Sequence, residues 1–157
     1  TLSGAAVKSA ALIQIRGVDA AGKTRLTDVK VRECLLQDFS NDGVIIQTAD
    51  SCSVVRCSFR DGAHSAVSFQ DQSINGVAVG NQIIRTDIGF DLRETQSCLI
   101  QGNEVRGASH GVQISQKKAS TAKAHTLRNN GFFRCSGEPI KTSGASVPPI
   151  CIENESD

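Results

Sequence analysis

Along most of the chain apolar residues alternate with other residues in short runs: Val29 and Val31, Val44 and Ile46, Val67 and Phe69, Phe90 and Leu92, Val112 and Ile114. That spacing puts successive side chains on opposite faces of an extended backbone, so each run predicts a short strand with one buried face. A helical repeat would need two runs of about ten or more residues with apolar spacing of three and four, and none fits between the turns.

The runs recur together with their turns. A Cys or Asn is followed two positions later by an apolar residue, then by a polar turn and a small residue that opens a small-apolar-x-apolar strand. Five copies fit: CLLQDFSNDGVII from Cys34, CSFRDGAHSAVSF from Cys57, NQIIRTDIGFDL from Asn81, NEVRGASHGVQI from Asn103 and NGFFRCSGEPIKT from Asn130. The anchors lie 23, 24, 22 and 27 residues apart, the last gap widened by the polar run from Gln116 to Thr121. A unit this short cannot bury its own apolar face and must stack on its neighbours, so a fixed period of this size marks a solenoid. Three strands fit in each unit, near Val31, Leu36 and Val44 of the first full copy. The expected fold is all-β, a parallel β-helix of about five to six coils with three short strands each.

The units V-x-V-x-x-C from Val29, V-x-V-G-N-Q-I from Val77 and I-Q-G-N-E-V from Ile100 lead into G-V-x-I or G-F-D-L strands. They resemble right-handed parallel β-helix proteins of the pectate-lyase-like superfamily, most of all the β-helix domains of phage tailspikes and polysaccharide depolymerases. The resemblance spans Val29 to Ile152. It implies a right-handed solenoid and, since the superfamily holds polysaccharide lyases, glycoside hydrolases, sugar epimerases and tailspikes, a glycan partner without one fixed activity.

Within a single domain, residues 1–28 are expected to form an N-terminal part: a short capping helix over residues 1–10, a strand at Ala11–Arg16 and a loop. Residues 29–152 are the coils, with a last strand in VPPICI, and residues 153–157 are a tail. Asn154-Glu155-Ser156 is a glycosylation triplet of a kind that arises by chance. Methionine is absent, so the chain is expected to be a piece of a longer one.

The stretch from Gly17 to Thr24, GVDAAGKT, matches the G-x-x-x-x-G-K-[ST] phosphate-binding pattern, which would set Lys23 on nucleotide phosphates and Thr24 on magnesium. Such a loop must open a helix whose N-terminus receives the phosphates, whereas RLTDVKVRECL after it sets Val29 and Val31 in alternating register. Nucleotide binding is therefore the remote alternative to an extended turn.

Lys plus Arg total 17 and Asp plus Glu 16, so no net charge draws the chain to nucleic acid or to an anionic membrane. No apolar run approaches the roughly 20 residues of a membrane span. Among the six cysteines, Cys34 and Cys57 stand in the anchor column and Cys52 and Cys98 at inward strand positions, where a thiol fills a ladder as a small apolar residue. Reduced core thiols are expected, with a Cys34–Cys57 disulfide as the alternative. There is no C-x-x-C and no His at ligand spacing to suggest zinc.

Stacking brings equivalent positions together, so chemistry is sought down columns. The anchors suit left-handed turn residues whose amides bond between coils, a stability device. Four positions on stand Asp38, Asp61, Arg85, Gly107 and Arg134. Asp38 and Asp61 on adjacent coils, with Arg85 next, suit acid/base cleavage of a sugar chain or calcium-assisted β-elimination from a uronic acid; a solvated turn with an ordinary ion pair is the plainer account. In the column Asn41, His64, Asp87 and Ser109, His64 over Asp87 makes an oriented imidazole, a general base. Beside it run Asp42, Ser65, Ile88, His110 and Glu138. The third strand turns Ile45, Ser68, Asp91, Gln113 and Lys141 outward, beside Gln47, Gln70, Arg93, Ser115 and Ser143. Amides and hydroxyls there suit sugar hydroxyls and equally keep a solenoid soluble.

Two functions are consistent with these columns. In the first, an extracellular or virion-borne module recognises or cleaves a polysaccharide or cell-surface glycan. Asp38, Asp61, His64 and Asp87 would be its catalytic acids and bases, Arg85, Asp91, Arg93, Gln70 and Gln113 would hold the sugar, and no cofactor beyond calcium is called for. In the second, a non-catalytic rod packs outward Leu35, Ile45 and Ile84 on sister chains of a trimer or on another domain. The lack of Trp and Tyr removes the platforms on which sugar rings stack, which speaks against catalysis by this chain alone.

Overall fold

The computed structural model describes residues 2–3, 11–17, 24–117, 123–144 and 147–157. Among them every regular element is a strand, and the strands pair in parallel into a β-solenoid of about five turns. The three strands expected in the first full coil lie at Lys30–Arg32, Leu35–Gln37 and Val44–Gln47. In the next two coils the second and third strands run together as Ser58–Gln70 and Gln82–Arg93. One wide sheet carries the second and third strands of successive coils, and a six-stranded sheet carries the first strands from Lys30–Arg32 to Ile150–Ile152.

Alternation plus register stacks like residues into the core. Leu36, Phe59, Ile83, Val105 and Phe132 form one inward column, and Val31, Val54, Ala78, Ile100 and Leu127 another, all buried. Each large member contributes roughly 1.5–3 kcal/mol by burial, more than a lone coil could collect. The small residue that opens the third strand is required by this packing. A Cβ on Gly43 would lie 2.7 Å from the Phe59 ring, and one on Gly111 would lie 2.2 Å from Phe132.

Two columns of corners are each turned by single residues at φ of 49 to 66°. One corner column is Glu33, Arg56, Gly80, Gly102, Asn129 and Glu153, and another is Asp38, Asp61, Arg85, Gly107 and Arg134. The left-handed backbone costs a non-glycine residue roughly 1–2 kcal/mol. Stacked backbone bonds offset it, such as Arg56 N–H to Val79 O at 3.0 Å and Asp38 N–H to Arg60 O at 3.1 Å. The left-handed residue is thus the one before each anchor, and the anchor asparagines have ordinary φ, which corrects the sequence expectation.

Their amides do bond between coils. The Asn81 Nδ2 donates to Val54 O, and Asn103 and Asn130 repeat this on Ala78 O and Ile100 O, at 2.8 to 3.0 Å. Asn154 adds a further rung: its Nδ2 donates to Leu127 O and its Oδ1 accepts from Asn130. The supposed glycosylation triplet is therefore a repeat of the anchor.

At the N-terminus Leu2–Ser3 is a strand beside Leu36–Gln37, not helix, and the remainder of the expected capping helix lies outside the described residues. Residues 18–23 of the phosphate-loop pattern also lie outside them. Beyond Thr24 the chain runs as strand, Leu26–Thr27 and then Lys30–Arg32, so the helix that such a loop must open is not there. All six cysteines are free, with Cys52, Cys57 and Cys98 buried. Ile45 is buried and Leu35 and Ile84 are partly buried, so they are not the exposed apolar positions expected for a rod. Among the described residues the exposed large apolar ones are Val147, Ile150 and Ile152, in the last described coil. Among the described residues no helix is long and apolar enough to cross a membrane.

Candidate functional site

The corner column places Asp38, Asp61 and Arg85 on successive coils. Arg85 grips Asp61 with both arms of its fork, Nε to Oδ1 at 2.6 Å and Nη2 to Oδ2 at 2.9 Å, and holds that carboxyl below its ordinary value. Asp38 instead accepts from Gln37 Nε2 at 3.1 Å. The two acids are not brought into contact: Asp61 is an exposed carboxylate whose oxygens are taken by Arg85, a poor proton donor at neutral pH. Among the described residues no three His, Cys, Asp or Glu side chains gather as a cation site.

His64 lies where the register between Ser58–Gln70 and Gln82–Arg93 slips. Thr86 pairs with Gly62 but Ile88 pairs with Ser65, so Ala63 and His64 both oppose Asp87. The extra residue turns the imidazole toward the preceding coil. His64 Nδ1 lies 2.6 Å from Asp42 Oδ1, and this carboxylate, with a side chain 4 % exposed, also accepts the Ser65 N–H at 3.0 Å. Asp42, not the exposed Asp87, orients the ring, which corrects the sequence pairing. Asp42 stood in the neighbouring column, and the aspartate just before the strand-opening Gly43 was the available signal.

The third strands of the wide sheet set Ser68, Asp91, Gln113 and Lys141 in one register column, with Gln70, Arg93, Ser115 and Ser143 in the next, on the face away from the core, but Ser68, Gln70 and Asp91 are buried there and not exposed as expected. Register placed these residues, but not their cover. The Asp91 side chain has no exposed surface; its Oδ2 accepts from Arg93 Nη2 at 2.6 Å and from Ser68 Oγ at 3.4 Å. Ser68 in turn accepts from Gln70 Nε2 at 2.5 Å. The other Asp91 oxygen, Oδ1, is buried with no hydrogen-bond partner. Arg93 is 44 % exposed at its side chain, and Gln113 is partly buried. On the next coils, His110 Nδ1 donates to Glu138 O at 2.9 Å and its Nε2 lies 3.4 Å from Lys141 Nζ.

Parallel coils, an internal asparagine ladder and corners at single left-handed residues define a β-solenoid. Residues 12–154 match the family model described as right handed beta helix region, and the chain belongs to that family. No curated protein matches the chain.

Proposed function

We propose that the outer face of the third strands holds a polysaccharide or cell-surface glycan, with Arg93 at its centre. The observation that carries this reading is Asp91. A carboxylate with no exposed surface and one unpartnered oxygen costs stability, and a fold keeps such a group where it holds something else in place. Here it fixes the guanidinium of Arg93, which spends one donor on Asp91 and presents others outward in a rigid fork. Gln113 and Ser115 beside it add amide and hydroxyl partners for sugar oxygens. An extracellular or virion-borne setting, kinship with tailspikes and depolymerases, and a trimer belong to the same reading.

The test is a glycan array with a depolymerisation screen, run beside the sedimentation mass. Arg93→Lys keeps a cation near Asp91 but loses the fork, so binding should fall about tenfold or more with the fold kept. Undiminished binding by that variant would remove Arg93 from the site, and silence of the unaltered chain on every glycan would end the reading. The exposed Val147, Ile150 and Ile152 favour a second one, a structural module that packs through its last described coil. A silent chain that sediments as an oligomer would support it.

A further inference from the structure

The chain holds three histidines, and their ring nitrogens are committed differently. His125 is buried, and its Nδ1 accepts the Cys98 N–H at 3.2 Å. His110 has Nδ1 on the Glu138 carbonyl and Nε2 facing Lys141. His64 has a carboxylate on Nδ1, Asp42 Oδ1 at 2.6 Å, with Ser65 Oγ 3.2 Å from the same nitrogen. No described residue hydrogen-bonds to its Nε2, and the side chain is 39 % exposed. A buried carboxylate on Nδ1 draws the proton there and leaves the lone pair on Nε2, and it offsets the charge of the imidazolium that forms when Nε2 takes a proton.

We infer that His64 Nε2 is the working atom of a general base that acts on an O–H group, either a sugar hydroxyl or a water lying against the sugar, with Asp42 as its positioning residue. The choice of substrate rests on the glycan reading above. Ser65, next to His64, pairs with Ile88, and Arg93 lies five residues further along that strand, which at ~3.3 Å per residue is at most ~17 Å, within the span of a bound oligosaccharide. In the step the O–H bond breaks, an N–H bond forms on Nε2, and the oxygen uses the freed electron pair to bond the acyl carbon of an ester carried by the sugar. Asp42 stays ionised, and as the bond between that carbon and the sugar oxygen breaks, the imidazolium returns the proton to the departing sugar oxygen.

The experiment is hydrolysis of ethyl dichloroacetate by the full chain, since with its poor leaving group an imidazole acts on water as a general base and not as a nucleophile, and no glycan is needed. His64→Gln should lower the rate about tenfold or more, Asp42→Asn should do nearly the same, and Asp42→Glu should recover part of the loss, with circular dichroism unchanged. In parallel, 15N NMR should find neutral His64 protonated on Nδ1 in the unaltered chain and shifted toward Nε2 in Asp42→Asn. A His64→Gln rate equal to that of the unaltered chain overturns the base, and an unaltered chain with its proton on Nε2 overturns the role of Asp42 even if Asp42→Asn fails to fold. A glycan array on the same proteins separates the two readings: active hydrolysis with no glycan bound ends the proposed function and leaves the dyad standing.

Discussion

The side-chain oxygen of Asn130 takes two hydrogen bonds from Asn103, one from its backbone N–H at 3.0 Å and one from its Nδ2 at 3.0 Å. Asn103 Oδ1 accepts the same pair from Asn81, and Asn103 Nδ2 also donates to Ala78 O. Asn103→Ala would leave the Asn81 N–H without an acceptor, Asn81 Nδ2 with Val54 O alone and Ala78 O without this donor, all in the buried column. At about 1–3 kcal/mol for a stranded buried group, the loss should reach about 3 kcal/mol. Urea unfolding measures it; a loss below about 1 kcal/mol would show that the ladder does not hold the coils.

Gly111 and Phe132 test the packing in the opposite direction. A Cβ at Gly111 would meet the Phe132 ring at 2.2 Å, so Gly111→Ala should cost about 1–3 kcal/mol through overpacking. Trimming the ring should relieve it: Gly111→Ala with Phe132→Leu should be more stable than the sum of the two single losses. Additive losses would mean that the clash is resolved by backbone movement and not by the ring.

The fold was legible because a solenoid writes each structural need several times. Cys34, Cys57, Asn81, Asn103 and Asn130 share one column, and the strand-opening Gly43 and Gly111 answer to Phe59 and Phe132. Asn154, 24 residues after Asn130, obeyed the same period and was hidden by its match to a glycosylation triplet. Left-handed corners at Glu33 and Arg56 could not be read, since neither residue type favours that backbone and the stacked bonds that hold it are long-range. At the site, the pairing of His64 was lost to one extra residue in one strand. The burial of Asp91 escaped because alternation tells which way a side chain faces and not what closes over it.

Arg93 and Asp91 should prove unequal when each is removed. Arg93→Ala leaves a carboxylate with no exposed surface and no cation, and should cost about 3 kcal/mol or more. Asp91→Asn leaves a guanidinium already 44 % exposed, which water can serve, and should cost clearly less. Thermal unfolding of the two variants decides it; equal losses would mean that Arg93 is not what makes Asp91 tolerable.

Thiol reactivity should vary with position in the stack. Cys151 occupies the inward column above Leu127 but is exposed in the last described coil, whereas burial pushes Cys98 up to about 11. A disulfide reagent at neutral pH should take Cys151 first and reach Cys52, Cys57 and Cys98 only on unfolding. Cys151→Ser should remove the fast phase; its persistence would place the reactive thiol elsewhere.

His125 should make stability depend on mild acid. Its ring is 1 % exposed, and burial lowers its pKa from 6.5 to about 4, so the folded protein keeps it neutral while the unfolded chain takes up a proton as pH falls below 6.5. Between these values the unfolded state binds more protons, so stability rises with pH: the contribution is complete above 6.5 and is lost progressively on the way down to about 4. At about 1.4 kcal/mol per pH unit, this window amounts to about 3 kcal/mol. His125→Gln cannot titrate there, while the exposed carboxylates, common to both proteins, cancel in the difference. Urea unfolding from about pH 7 to about pH 4 should therefore show the advantage of the unaltered chain over His125→Gln shrinking as the solution becomes more acid. A constant gap between the two would mean that His125 takes up its proton in the folded protein as readily as in the unfolded one.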